Sequence, residues 1–352
     1  MRIIILPGDG IGPEIMAATE EVLRVADKSF GLGLKLEHRA VGFESLAAVG
    51  TTVPAELLDV LREADGVIMG PTDTAAYPPP EKGGINPSAT IRGKLDLYAN
   101  IRPSRAIPGV PALRPELDLV VVRENTEGFY ADRNMHLGSG EFMPTPDVAL
   151  AVRKITRKGS ERIARAAFEL AMTRKRHLIA VHKANVLKVS DGLFLECVHK
   201  VAKDFPAVTL EEMHVDAAAS ALPEQPERFD VMVTTNMFGD ILSNLAASLS
   251  GGLGLAASLN MGDERAIAQA SHGSAPDIAG KGIANPTALL GSTSLLLRWL
   301  GERHQQKKLV EAGAAIDRAI DAVLAAAKHQ PADLGGSTST TDFGKAVAQA
   351  LA

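Results

Sequence analysis

Three arginines are the first residues in this sequence whose type and spacing suggest chemistry. Arg92, Arg102 and Arg123 lie in "ATIRGKLDLYANIRPS" and "VVVRENTEGFY", at or near the ends of expected elements. A guanidinium group pairs bidentately with a carboxylate, so three that converge would bind a small polycarboxylate. One such arginine alone is more often a solvated surface charge. Arg123 is the exception, because it ends the apolar run 119–122, and sites cluster at the carboxyl ends of parallel strands.

Two further residues are candidates for proton transfer. Tyr130 follows "RENTEG", and a lone tyrosine is usually a core or interface residue whose hydroxyl is bonded. With a lysine nearby, its phenol would serve as a general acid. Lys183, in "HKAN", comes just after an apolar run and is either a solvent-facing strand end or, if partly buried beside charged groups, a proton-transfer residue.

Oxygen-bearing side chains in two places suggest a site for a divalent cation. Asp240 and Asn244, in the segment 234–258, are four residues apart and therefore share one face of a helix. Asp216, in "HVDAAA", ends an expected strand. Such ligands suit Mg²⁺ or Mn²⁺ rather than zinc. Asp240 alone is explained equally well as a carboxylate that the helix dipole favours near a helix start.

Two glycine-rich segments lead to different predictions of local structure and function. In "LPGDGIGPE", Gly8 and Gly10 fit a dinucleotide fingerprint, but the last position is Pro13, which is better explained as an early helix residue. That segment predicts a tight strand-to-helix connection. The loop 270–290, "ASHGSAPDIAGKGIANPTALL", offers backbone amides for a diphosphate, and Asp277 would bind ribose hydroxyls while repelling an extra phosphate. An ordinary glycine-rich connection is the alternative.

Composition narrows the class of protein. With 352 residues, of which 46% are hydrophobic, the chain can bury a large core and suggests two domains. A net charge of −5 gives no long-range attraction to nucleic acid or to an anionic membrane. Cys197 is the only cysteine, which excludes an intrachain disulfide. Because neither a secretory apolar segment nor a membrane-length run is seen, we expect a cytoplasmic protein.

Short β-branched runs alternate with helical periodicity along the chain, which predicts an α/β sheet with helices on its faces. We expect strands at 2–6, 34–41, 66–69, 117–123, 178–182, 208–215 and 229–235. Besides a helix after the first strand and one opened by Pro54, we expect helices at 160–175, 192–204, 285–300, 307–327 and 343–351. The loop after residue 69 is too long and too rich in proline and glycine to be a mere connection. The stretch 131–158 shows no period and is interpreted as an arm that reaches beyond its own subunit.

Taken together, six motifs resemble one family. They are "LPGDGIGPE", "LDLYANIRP", "VRENTEG.Y", "HKANVLK", "NMFGDILS" and "HGSAPDIAGKGIANP". The chain is similar over nearly its whole length to the metal-dependent β-decarboxylating dehydrogenases, which act on isocitrate, homoisocitrate, isopropylmalate, and tartrate or malate. The resemblance implies an isopropylmalate dehydrogenase-like α/β fold with a mixed sheet, unrelated to the Rossmann fold. It also implies a first domain of 1–98 and 254–352, a second domain of 99–253 carrying the dimer interface and arm, and a homodimer with shared active sites.

The resemblance assigns roles to the candidate residues. Arg92, Arg102 and Arg123 correspond to the carboxylate clamp for a small polycarboxylate substrate. Tyr130 corresponds to the acid that protonates the enol after CO₂ leaves. Lys183 corresponds to a residue that enters the partner's site and helps remove the hydroxyl proton.

The implied cofactors are NAD and Mg²⁺ or Mn²⁺. Asp240 corresponds to the main local metal ligand and Asp216 to a ligand from the partner subunit. Asp277 followed by Ile278 resembles the members that prefer NAD. The residues that correspond to cofactor contacts are His272, Gly273, Ala275, Asp277, Ile278 and Asn285.

Two departures from the family pattern bear on function. Asn244 stands where a second aspartate is usual, so one negative charge fewer should weaken metal binding. This raises the alternative of a catalytically impaired regulatory or binding subunit, although the other catalytic residues are present. Asn86 and Ser88 replace mostly apolar residues of isopropylmalate enzymes, which favours a polar or small substituent on the substrate's third carbon. A non-enzymatic solute-binding protein, the third alternative, leaves Lys183 and the cofactor loop without a role.

Overall fold

The computed structural model describes residues 1–130 and 135–352. Its strands are β1 (Arg2–Leu6), β2 (Lys35–His38), β3 (Gly66–Met69), β4 (Ala99–Arg105), β5 (Asp118–Glu124), β6 (Glu141–Thr145), β7 (Val148–Ala151), β8 (His177–His182), β9 (Thr209–His214), β10 (Val231–Thr234), β11 (Leu259–Met261) and β12 (Ala266–Gln269). Its α-helices are α1 (Gly12–Phe30), α2 (Phe43–Val49), α3 (Ala55–Glu63), α4 (Pro87–Lys94), α5 (Arg157–Met172), α6 (Ser190–Ala202), α7 (Val215–Glu224), α8 (Asn236–Ser250), α9 (Thr287–Arg303), α10 (Lys307–Ala325) and α11 (Thr340–Leu351).

One ten-stranded sheet runs through the molecule in the order β2-β1-β3-β12-β11-β4-β5-β10-β8-β9. Its outer portions pair in parallel, whereas β11 is antiparallel to both β12 and β4, and β4 is antiparallel to β5. The expectation of a mixed α/β sheet of a non-Rossmann kind is therefore confirmed. β4 and β5 are adjacent strands in this antiparallel centre, and each carries one of the candidate arginines, Arg102 and Arg123.

The turn after β1 is held by close backbone contacts. Gly8 and Gly10 have φ of +75° and +57°, in the left-handed region that glycine adopts at little cost. A Cβ on Gly10 would lie 2.0 Å from the carbonyl oxygen of Ser274, and the Ile11 amide donates to that same oxygen at 2.8 Å. The turn is therefore scaffold that fixes the later loop 270–290 against the start of α1.

Several elements differ from the sequence prediction. We did not expect α4, β4, β11 or β12, and β4 in particular alternates polar residues that become buried only by packing. The stretch 131–158, expected to lack regular structure, contains the β6–β7 hairpin, while residues 131–134 lie outside the described part. Asp216 does not end a strand; it lies in the first turn of α7, just after β9.

The hydrophobic core extends across the sheet. The largest buried cluster includes Ile3 from the first expected domain and Ile163 from the second, so apolar packing continues between the two parts. The domain limits 1–98, 254–352 and 99–253 stay a prediction. In the described ranges, no helix is long and apolar enough to cross a membrane.

Candidate active site

Arg102 and Arg123 converge on one carboxylate. In the β4–β5 pair, Arg102 lies opposite Val121 and Asn100 lies opposite Arg123, so both arginines are on the same face of the sheet. Helix α8 packs on that face and supplies Asp240. Its Oδ1 accepts from Nη1 of Arg102 at 2.9 Å and from Nη1 of Arg123 at 2.5 Å. Two nearly buried cations are thus fixed beside a half-exposed acid.

Buried amides hold the two guanidinium groups in place. Asn236 Oδ1 accepts from Arg123 Nε at 3.0 Å and from its Nη2 at 2.8 Å. Asn100 Oδ1 accepts from Arg102 Nε at 2.5 Å, and Ser243 Oγ accepts from Arg102 Nη1 at 2.8 Å. Sequence reasoning missed these three residues. The signal was present in α8, where polar residues recur at helical spacing within an apolar segment.

Tyr130 belongs to the same group. Its hydroxyl accepts from Arg123 Nη2 at 2.7 Å and donates to Asp240 Oδ2 at 3.0 Å. Burial raises the pKa of Tyr130, and this outweighs the opposing effect of Arg123. Burial would raise the pKa of Asp240, but Arg123 and Arg102 outweigh it and leave that pKa below its usual value. Burial, with repulsion from Arg123, lowers the pKa of Arg102 to about 10.

The third arginine lies on α4 and has a different set of partners. Arg92 Nη2 donates to Gln269 Oε1 at 2.9 Å, and Arg92 Nη1 lies 3.4 Å from Asn125 Oδ1. Gln269 Nε2 also donates to Ser88 Oγ at 2.9 Å. Asn86 has a structural role as the N-cap of α4, where its Oδ1 accepts from the Ala89 amide. Gln269 is a further residue that the sequence alone did not indicate.

Lys183 and Asp216 lie together but apart from this group. Lys183 follows β8, Asp216 begins α7, and Lys183 Nζ lies 2.6 Å from Asp216 Oδ1. Hydrogen bonding to Lys183 lowers the pKa of Asp216. Within residues 1–130 and 135–352, neither makes an ion pair or hydrogen bond with Arg102, Arg123 or Asp240. One chain therefore presents two separate sets of candidate catalytic residues.

The donor set for a divalent cation is incomplete in one chain. Asn244 is exposed one helical turn beyond Asp240, so the two offer oxygen atoms on the same side of α8. No group of three His, Cys, Asp or Glu side chains in the described residues is arranged to hold a metal ion. Oxygen donors suit Mg²⁺ or Mn²⁺, and one more carboxylate beside Asp240 would complete a site of that kind.

A cavity of about 620 Å³ lies beside the loop 270–290. It is lined by Ile11, Leu253, Gly254, His272, Gly273, Ala275, Ile278, Ile283, Ala284, Asn285, Ala332 and Asp333. Five of the six expected cofactor residues are in this lining; Asp277 is not, and is exposed. Sequence reasoning missed Asp333, whose Oδ2 accepts from Asn285 Nδ2 at 3.2 Å.

The donor and acceptor atoms of the cavity fit a nucleotide. His272 Nδ1 lies 3.0 Å from the Gly273 oxygen, and the buried Nε2 has no partner among the described residues. Burial lowers the pKa of His272, so the ring is neutral near pH 7. A mostly apolar cavity with an unpartnered ring nitrogen suits a planar base that supplies a complementary polar atom.

Known proteins resemble this chain over nearly its whole length. A family model described as isocitrate/isopropylmalate dehydrogenase matches residues 2–347. An isocitrate/homoisocitrate dehydrogenase of Thermus thermophilus is 45% identical over 99% of this chain and 98% of its own length. The 3-isopropylmalate dehydrogenase of Archaeoglobus fulgidus is 43% identical over 99% of each chain. The crystal structure of isocitrate dehydrogenase from Methylococcus capsulatus has a TM-score of 0.88 at 38% identity, covering 99% of both chains.

The fold, the arginine-lined polar site and the separate cavity suited to a nucleotide are those of an α/β oxidoreductase. The chain belongs to the isocitrate/isopropylmalate dehydrogenase family, whose members are decarboxylating dehydrogenases. The resemblance in the sequence motifs and the expected isopropylmalate dehydrogenase-like fold are thereby confirmed.

Proposed function

We propose that this protein catalyses the NAD- and divalent-metal-dependent oxidative decarboxylation of a 2-hydroxy acid that bears a 3-carboxylate. The observation that carries the proposal is the bonded group of Arg102, Arg123, Tyr130 and Asp240. This group combines two fixed guanidinium cations that would bind carboxylates, a phenol that stays protonated and a carboxylate that stays ionised. The roles proposed for the site residues rest on that geometry and on family membership.

The chain's own residues bind, orient and move protons. Arg102 and Arg123 bind the substrate carboxylates in fixed orientations, and Arg92 binds the remaining one. When bound, a nicotinamide would supply the hydride acceptor, and a divalent cation held by Asp240 would supply the positive charge that polarises the oxygen on the second carbon. Because its pKa is raised, Tyr130 keeps its proton at neutral pH and delivers it to the third carbon after CO₂ leaves. The arginines stabilise the negative charge that develops in between.

The cavity beside the loop 270–290 would hold the nucleotide, with His272, Gly273, Ala275, Ile278 and Asn285 in its lining. Asp277 is exposed at this loop, where its charge would favour ribose hydroxyls and disfavour a 2′-phosphate. That supports NAD over NADP. Asp240 and Asn244 would hold Mg²⁺ or Mn²⁺ together with Asp216 of a second subunit.

We infer a homodimer with shared sites, and the separation of Lys183 and Asp216 from Asp240 supports it. Both residues would enter the second subunit's site, where Lys183 helps to remove the hydroxyl proton. Exposed apolar side chains support such an interface on the β6–β7 hairpin, in the segment after Lys183 and on the outer face of α8. They are Phe142, Met143, Val148, Leu150, Val186, Val189, Met237 and Ile241. Val189 is 88% exposed and Val186 66%, more than isolated surface residues require.

The direct experiment is an activity assay. Purified protein is mixed with NAD, Mn²⁺ and each of a panel of 2-hydroxy diacids and triacids, and the absorbance of reduced cofactor is followed. We expect turnover of at least one member with stoichiometric release of CO₂. Tight substrate binding without reduction across the whole panel would instead favour a regulatory or binding subunit.

Mixing inactive variants tests the shared site. Lys183→Ala and Asp240→Asn damage residues that different subunits contribute to one site, so a heterodimer has one site with both lesions and one intact site. Random exchange should therefore restore about a quarter of the wild-type activity. Lys183→Ala mixed with Asp216→Asn is the matched control: both residues come from the same subunit, every heterodimer site carries a lesion, and no activity should return. Equal recovery in both mixtures contradicts the sharing of sites.

A further inference from the structure

Gln269 links two residues at the substrate side of α4. Ser88 and Arg92 are four residues apart on this helix and therefore share a face. Both are partly exposed, whereas Gln269, the last residue of β12, is only 5% exposed. Its two amide ends lie 2.9 Å from Arg92 Nη2 and 2.9 Å from Ser88 Oγ.

The orientation of the Gln269 amide is fixed by chemistry. A guanidinium N–H can only donate, so the amide oxygen must face Arg92. The amide nitrogen then faces Ser88 Oγ and the Gly70 carbonyl oxygen, which lies 3.5 Å away and can only accept. The flipped amide would place donor against donor at Arg92 and acceptor against acceptor at Gly70.

This orientation determines what Ser88 offers. Because Ser88 Oγ accepts from Gln269, its own hydrogen points elsewhere, and among the described residues the hydroxyl donates to none. On a partly exposed helix face beside Arg92, that hydrogen is available to a bound molecule. Ser88 and Arg92 therefore present one hydroxyl donor and one guanidinium group on the same face of α4.

Resting on the proposed function, we propose that Gln269 is the positioning residue that selects the substituent on the substrate's third carbon. By turning the Ser88 hydrogen outward and holding Arg92 with a neutral amide oxygen, Gln269 favours a substituent carrying a carboxylate over an alkyl group. A polar substituent accepts the Ser88 hydrogen bond, whereas an isopropyl group leaves that donor without a partner.

The test is Gln269→Glu, which replaces the amide NH₂ group by an oxygen atom and changes the side-chain volume little. A carboxylate only accepts, so the Ser88 hydrogen would turn inward toward it. The measurement is the ratio of kcat/KM for isocitrate to kcat/KM for 3-isopropylmalate, with NAD and Mn²⁺. We expect this ratio to fall about tenfold, mainly through the KM for isocitrate. Ser88→Ala should lower the ratio by a similar factor.

The double variant separates orientation from simple charge. Gln269→Glu also places a carboxylate beside Arg92 and should weaken the binding of both isocitrate and 3-isopropylmalate. In the Ser88→Ala background, however, Gln269→Glu should leave the ratio of the two kcat/KM values unchanged. Calorimetric binding of propane-1,2,3-tricarboxylate gives a readout without turnover and should weaken in Gln269→Glu. If the wild type oxidises no acid of the panel, the proposed function and this inference both fail. If it oxidises a panel acid but neither isocitrate nor 3-isopropylmalate, or if neither Gln269→Glu nor Ser88→Ala moves the ratio, only this inference is overturned.

Discussion

The arginine group on β4, β5 and α8 and the cavity beside the loop 270–290 are built in opposite ways. In the first, Arg123 alone donates to Asn236, Asp240 and Tyr130, so each charged atom has a fixed partner. In the second, most lining side chains are apolar, and a backbone oxygen is the partner of His272. One site rests on a few strong directional bonds; the other rests on shape and many weak contacts.

The difference follows from what each site binds. Small acids offer little apolar surface, so their orientation must come from charge-assisted hydrogen bonds held by a rigid scaffold. A nucleotide is large and spreads its binding free energy over many atoms. We therefore expect single substitutions to be severe in the arginine group and mild around the cavity.

The largest expected effect is that of Arg123→Lys. An ammonium group cannot reproduce the fork that donates to Asn236, Asp240 and Tyr130 together. We expect kcat to fall about 10²- to 10³-fold, as for other losses of a fixed donor to a developing negative charge. Steady-state kinetics should show an unchanged KM for NAD.

The matched control is Arg105→Lys on the neighbouring strand β4. Arg105 pairs with Asp321 at 2.6 Å and lies on the opposite face of the sheet from Arg123. The Arg105→Lys variant should keep wild-type kinetics. Similar losses in both variants would show that the β4–β5 pair tolerates no exchange of arginine for lysine, and would remove the contrast between the two regions.

Asn244→Asp is expected to have a smaller, opposite effect within the first region. A second carboxylate on the Asp240 face of α8 adds one negative charge to the proposed cation site. We expect the Kd for Mn²⁺, measured by titration of the paramagnetic signal of free Mn²⁺, to fall about tenfold. Ser248→Asp, one turn further along α8, adds the same charge and should leave Kd unchanged. An unaltered Kd in Asn244→Asp means that this residue does not approach the ion.

The smallest effect is expected at the cavity. Asp277→Asn removes a charge from an exposed residue outside the lining, so the KM for NAD should rise only about threefold with kcat unchanged. Activity with NADP should increase relative to NAD. Asp59→Asn, at an exposed position on α3, is the control with the same chemical change. A loss of a hundredfold or more at Asp277 would contradict the view that contacts around the cavity are individually weak.

Prediction from sequence succeeded where local pattern decides structure. The strand β3 is buried at all its residues and was expected at those limits, because a continuous apolar run with punctuated ends has few alternatives. It failed at β4, where Pro103 and the alternation of Asn100, Arg102 and Ser104 conceal a central strand. Asn100 and Arg102 find their partners on β11 and α8, which no local window contains.

The sequence by itself determined the family, the mixed α/β class and the identity of the candidate charged residues, because residue type and spacing carry that information. Only the tertiary structure decided that Arg102 and Arg123 share Asp240, that Lys183 pairs with Asp216 away from them, and that Gln269 joins Ser88 to Arg92. Hydrogen bonds act over about 3 Å, and residues far apart in the sequence come that close only when the fold brings their strands and helices together.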